Sequence, residues 1–251
     1  VSDLYDEDLQ KVDVFAKDED IARLMQRYDL VAIPVVNIQN KLIGRITIDD
    51  IIDVVTEQAE HDRQIMSGIS QDVESDSKIW DGIKARLPWL LIGMGGGLLG
   101  ARLIGMFENQ LQIVPALAFF IPLITATGGN VGIQSSSIVV QDLAEQSNIR
   151  SKILLTTFRS TFIGALNGVV ISLFVFTAIY FLGSVSTNLA FTVAIALFSV
   201  VVLASLMGTI TPLILDNFGI NPAVASGPFI TTINDLLGIL VYFSVAYSLL
   251  L

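Results

Sequence analysis

Five apolar stretches, near 88–107, 112–141, 153–183, 189–215 and 223–250, fill the last two-thirds of the sequence. Each reaches the about 20 residues that a helix needs to cross hydrocarbon. Hydrocarbon offers no water to unpaired backbone groups, so each stretch must bond its own N–H and C=O groups as a helix. The chain is therefore expected to be mostly α and to cross a bilayer five times. The second, third and fifth stretches are long enough to tilt or to run past the hydrocarbon.

Charge is segregated accordingly. Residues 1–87 hold 19 of the 24 acidic and 10 of the 14 basic side chains. Beyond them lie only Glu108, Asp142, Glu145, Asp216 and Asp235, with Arg102, Arg150, Lys152 and Arg159. A small acidic domain thus precedes a membrane domain. There are no cysteines, and His61 is the only histidine. This leaves no thiolate or multi-imidazole metal site and no Ser/His/Asp triad, so no enzyme activity is expected. The net charge of −10 argues against a nucleic-acid partner. The sequence starts at Val1 with its first span far downstream, and is expected to be a piece of something longer.

The amino-terminal part alternates short elements: a strand in KVDVFA, a helix over KDEDIARLMQRYDL, strands in VAIPVVN and KLIGRIT, then a long helix from IDDIIDVV. The first helix presents Ile21, Leu24, Met25 and Tyr28 on one face, and the second presents Ile48, Ile51, Ile52 and Val55. Such a sheet needs a partner to cover it. SQDVESDS (70–77) is a polar break. KIWDGIKARLPWL then sets Trp80 and Trp89 beside Lys84 and Arg86, as a chain does on approaching a bilayer. Those two cations, with Arg150, Lys152 and Arg159, fall on the side of the acidic domain. That domain is expected to be cytoplasmic and the carboxyl terminus outside.

Within the second stretch, TATGGNVGIQSSS (125–137) interrupts the apolar run. Gly128, Gly129 and Gly132 allow close helix approach, and Asn130, Gln134 and Ser135 to Ser137 offer oxygens. Two readings stay open: tight packing with hydroxyl cross-bonds, or the wall of a pore. Pro115 and Pro122, seven residues apart, are expected to bend the helix. The glycines of GMGGGLLG (93–100) lie in a span and follow no strand, so they suit helix packing better than nucleotide binding.

Asp235, in TTINDLLGILVYF, falls near mid-membrane, where a carboxylate is a functional candidate by default. Its plain alternatives are a structural pair with Arg102 or Arg159 and a carboxyl kept protonated. Thr231, Thr232 and Asn234 lie on the same or adjacent turns. A carboxylate among hydroxyls and amides is hard oxygen chemistry suited to Mg2+, Ca2+ or Mn2+, and Mg2+ tends to keep its waters. A two-fold axis would set a second Asp235 opposite. Asp49, Asp50, Asp53, Glu57, Glu60 and Asp62 crowd the second helix. They form either a solvated face or a divalent-cation sensor whose repulsion opens an interface.

Three stretches together resemble the MgtE family of magnesium channels: PALAFFIPLITATGGNVGIQSSSIVV, NPAVASGPFITTINDLLGILVYF, and YDLVAIPVVNIQNKLIGRITIDDIIDVV, which looks like a CBS domain. The resemblance covers nearly the whole chain. It implies a CBS domain over 1–58, an acidic connecting plug helix and juxtamembrane linker over 59–87, and a five-span pore domain over 88–251. It implies a homodimer in the inner membrane with one pore on the two-fold axis. Asp235 is then the pore carboxylate that meets Mg2+, with Gly129, Asn130, Thr231, Thr232 and Asn234 about it, and the six acids sense cytoplasmic Mg2+. Thr47 with Asp50 matches the S/T-x-x-D pattern of nucleotide-binding CBS domains, which implies ATP. The rival functions are a carrier using Asp235 for H+ or Na+ and a membrane-anchored nucleotide sensor.

Overall fold

The computed structural model describes residues 9–70, 73, 77–144, 153–183 and 186–250. The chain forms two compact units, Val1–Asp62 and Arg63–Leu251. Glu145 lies outside the described residues, as do Arg150 and Lys152, two of the cations that set the expected orientation, and most of the 70–77 break.

The first unit holds β1 (Val12–Asp13), α1 (Asp18–Arg27), β2 (Ala32–Val36), β3 (Leu42–Thr47) and most of α2 (Ile48–Met66). β1 pairs parallel with β2 through the α1 crossover, and β2 pairs antiparallel with β3. Asn37 shapes the β2–β3 turn, its Oδ1 accepting from the backbone N–H groups of Gln39 and Lys41. Val12, Ile21, Met25, Ile33 and Ile51 form the core. Two expectations are corrected. Tyr28 is not on the buried face: it follows the last turn of α1 as its C-cap and is exposed. Ile52 and Val55 stand 55% and 50% exposed, because a three-stranded sheet with two helices cannot cover all of α2's apolar arc.

The second unit continues with α3 (Ile79–Met106), α4 (Glu108–Ile113), α5 (Ile121–Ala144), α6 (Ile153–Leu182), α7 (Thr187–Asn217) and α8 (Pro228–Leu250). Five segments, 79–106, 115–144, 153–181, 187–217 and 222–250, have the length and composition to cross a membrane. The Trp80–Trp89 lead-in is the first half of α3 and not a separate element. α7 is the central helix, packed against α5, α6 and α8, while α8 also packs against α3. Leu197, Val200, Val201, Ile239, Tyr242 and Phe243 fill the core. Large apolar side chains point outward instead on α3 and α6, Leu98 67% and Phe174 73% exposed, which suits lipid and not water.

The prolines do not bend a continuous helix as expected. Pro115 opens a 3-10 turn (Pro115–Phe120), and Pro122 is the second residue of α5. Both occupy starts, where the missing N–H costs nothing. The irregular junction leaves carbonyls without helical partners, and the buried Tyr242 hydroxyl donates to the Leu117 carbonyl at 2.9 Å. Tyr242→Phe should strand that acceptor and destabilise the membrane unit by about 1–3 kcal/mol. Thermal unfolding in detergent reads this; an unchanged midpoint would mean the hydroxyl is not needed there.

The serines of α5 serve packing. Ser135 Oγ lies 3.3 Å from Ser205 Oγ of α7, Ser136 donates to the Ala225 carbonyl at 3.2 Å, and Ser137 is 3.4 Å from Ser226 Oγ. Ser160 of α6 joins the same network through Ser205 and Thr209. For these hydroxyls, cross-bonding between helices is the reading that holds.

Candidate functional site

Asp235 lies two turns into α8, half-buried. Thr231, one turn earlier, packs on Gly129 of α5, and Asp235 Oδ1 lies 3.7 Å from where a Cβ on Gly129 would stand. Thr232, rotated by one residue, packs on Gly96 of α3. Asp235 therefore projects between the α5-facing and α3-facing sides of its helix. Two glycines ease this approach: an added Cβ would collide with the Thr232 methyl at Gly96 and crowd the Thr231 methyl, at 3.1 Å, at Gly129. No ion pair or hydrogen bond to Asp235 occurs among the described residues, and Arg102 and Arg159 are exposed elsewhere. Neither Arg102 nor Arg159 pairs with this carboxylate among the described residues.

The two threonine hydroxyls are occupied within the helix. Thr231 Oγ1 donates to the Gly227 carbonyl at 2.9 Å and Thr232 Oγ1 to the Pro228 carbonyl at 2.8 Å. Their lone pairs remain available as acceptors or ligands. Asn234 is placed apart from this group. It is 2% exposed and packs against Gly132 in the α5–α8 contact, with neither amide atom hydrogen-bonded among the described residues. It neighbours Asp235 in sequence but sits about 100° round the helix.

On α5, Gly129 is buried and Asn130 exposed. Gln134 is exposed one turn further on, so two amides share the outward face of a membrane-length helix with Ala126 and Ile138. Gln134 enters the site from the structure; in the sequence it is one oxygen donor among several. Its four-residue spacing from Asn130 is the available signal, because that spacing repeats a helix face.

In the first unit, Asp49, Asp50, Asp53, Glu57 and Glu60 are exposed along α2, and Asp62 is half-buried, accepting from Gln58 at 3.1 Å. Among the described residues, no three acids converge into a cluster able to hold a metal ion. Asp50 accepts from Thr47 at both N–H (3.0 Å) and hydroxyl (2.7 Å). These two donors hold its carboxyl below the usual carboxylate range, the backbone bond contributing most. Whatever stability this adds is present above the ordinary carboxylate pKa and is lost as pH falls through the lowered one.

Residues 121–245 match the family MgtE, described as a divalent cation transporter, and residues 1–57 match the CBS domain. The chain is 39% identical over 250 residues to the Magnesium transporter MgtE of Bacillus subtilis, covering 98% of this chain and 54% of that protein. It is 35% identical over 252 residues to the Magnesium transporter MgtE of Enterococcus faecalis, with 98% and 54% covered. The protein of that name from Thermus thermophilus is 33% identical over 242 residues, with 92% and 52% covered. The chain thus spans about half the length of the curated relatives it matches.

Proposed function

Because the chain belongs to the MgtE family of divalent cation transporters, we propose that it carries Mg2+ across a cell membrane along a groove centred on Asp235. The observation that carries this reading is the exposed pair Asn130 and Gln134 on α5, beside a helix contact from which Asp235 projects. Amides facing lipid would leave several donors and acceptors without partners, at several kcal/mol each. A water-filled path satisfies them. A groove open on one side becomes a closed path when a second copy faces it, so the working unit is a homodimer with an Asp235 from each chain. Two carboxylates suit a dication that keeps its waters: the charge is matched, and threonine and amide oxygens accept from the hydration shell.

In this reading residues 59–87 connect the CBS domain to the pore and include the plug, the amino-terminal domain is cytoplasmic and the carboxyl terminus outside. The protein works as a channel and not as an enzyme, a proton- or Na+-coupled carrier or a nucleotide sensor. Asn130→Leu with Gln134→Leu tests the groove. Mg2+ uptake by liposomes should fall by roughly tenfold, with the protein still folded; unchanged uptake would place the path elsewhere.

The exposed acids of α2 act as the sensor, neutralised by Mg2+ between chains, since they do not gather within one. Replacing Asp49, Asp50, Asp53, Glu57, Glu60 and Asp62 by their amides should shift the inhibitory cytoplasmic Mg2+ concentration upward by roughly tenfold or more. The same dose response in both proteins would dismiss the sensor and leave the pore standing. ATP at Thr47 and Asp50 is compatible with this regulation, and requires Asp50 to exchange its Thr47 bonds for ribose contacts.

A further inference from the structure

We propose that the start of α3 holds an acidic phospholipid whose phosphate rests on Arg86. Two clefts, of 660 and 440 Å3, open on either side of this residue, and both are lined by Arg86 and Leu90. The larger lies between the turn Ser67–Ile69 and α3, with Trp89, Met94 and Pro228 in its walls. The smaller runs past Lys78, Ile83 and Leu87. A lipid with its phosphate at Arg86 sets its acyl chains along Trp89, Leu90 and Met94 of the larger cleft, in the direction of the span, and its headgroup toward Lys78 in the smaller.

The larger cleft is built and not a gap between loose parts. The chain leaves α2 through Gly68, whose φ of +77° allows its N–H to bond the Ile65 carbonyl and that of Ile69 the Gln64 carbonyl, each at 2.9 Å. The Ser70 N–H donates to the Ala85 carbonyl at 2.9 Å, which pins this turn to α3. Gly68 also abuts Pro228 at the start of α8, leaving no room for a side chain.

Charge points to the occupant. Arg86 is exposed beside a wall of apolar residues, and Lys78 lines the smaller cleft with it. Cations at this level attract anionic headgroups. Trp89, beside Arg86 in the larger cleft, adds an aromatic ring at the level where such rings meet headgroups. A free phosphate would leave the apolar walls bare, so the lipid is the fitting source.

Native mass spectrometry of the full chain in detergent, with phosphatidylglycerol or phosphatidylcholine added, tests this without reference to transport. The protein should retain phosphatidylglycerol over phosphatidylcholine. Arg86→Gln should reduce that retention roughly fivefold, the effect of one cation at an anionic surface. Arg86→Lys should keep most of it, and Lys84→Gln, outside both clefts, should change nothing. Equal retention of the two lipids, or an equal loss in Lys84→Gln, would overturn the site. So would displacement by soluble glycerol phosphate, or a change in dimer fraction in place of lipid count.

Discussion

Asp235→Ala should lower Mg2+ uptake into liposomes by roughly two orders of magnitude while the protein stays as stable as the parent. The flux loss corresponds to about 3 kcal/mol of ion interaction, at about 1.4 kcal/mol per factor of ten. The size follows from position. Asp235 is the only charged residue of α8, and α5 adds only Asp142 near its end. Mid-membrane, few groups could take over the attraction for a dication, and the surroundings screen it weakly. The stability half of the expectation follows from the missing partners. No hydrogen bond or ion pair to Asp235 occurs among the described residues, so truncation removes a partly buried charge and breaks no polar contact there. Asp235→Asn should match Ala in flux, because the charge and not the shape is required. Full uptake in Asp235→Asn would end the assignment of this residue to the path, and a large drop in thermal midpoint would make it structural.

The second large effect concerns assembly. Gly208 of α7 faces Gly132 of α5 so closely that an added Cβ would stand 2.5 Å from the Gly132 carbonyl oxygen and 2.9 Å from Ser135 Cβ. The first of these is backbone and cannot rotate away. Gly208→Ala should therefore cost about 3 kcal/mol, the upper part of the usual overpacking range. It would force α5 away from α7 and disturb the Ser135–Ser205 contact. Gly97→Ala on α3 is the matched control. Nothing lies within 4 Å of its added methyl, and Ala is about 1 kcal/mol better than Gly inside a helix. Thermal unfolding should move in opposite directions for the two variants. A midpoint for Gly208→Ala at or above the parent's would show that α5 and α7 are not held at this distance.

Much of the fold is legible because its signals are local. Five apolar runs longer than a bilayer permit little but five helices, and the observed spans lie close to the expected ones. The CBS-like order of strands and helices is readable from alternation and turn residues. Two of the misreadings share a cause, which is that spacing does not say where an element stops. Spacing puts Tyr28 on a buried face, but the helix ends at Arg27. Pro115 and Pro122 read as bends because a run of apolar residues does not reveal where a 3-10 turn hands over to α-helix. Direction is equally hidden: Ser135 to Ser137 and Asn130 lie in one polar run, yet the serines bind other helices while Asn130 faces out.

The sequence by itself determined that this chain spans a bilayer and sets one carboxylate deep within it, because hydrophobic length and charge are properties of the residues in order. The tertiary structure alone decided which way each polar group turns. Asn234 and Asp235 are neighbours in the chain, but the helix separates them by about 100°. Glycines at 96, 129 and 132 on two other helices then determine that the amide is packed away and the carboxylate left open. No local pattern encodes that choice, since it depends on which surfaces of α3 and α5 come near enough to touch α8.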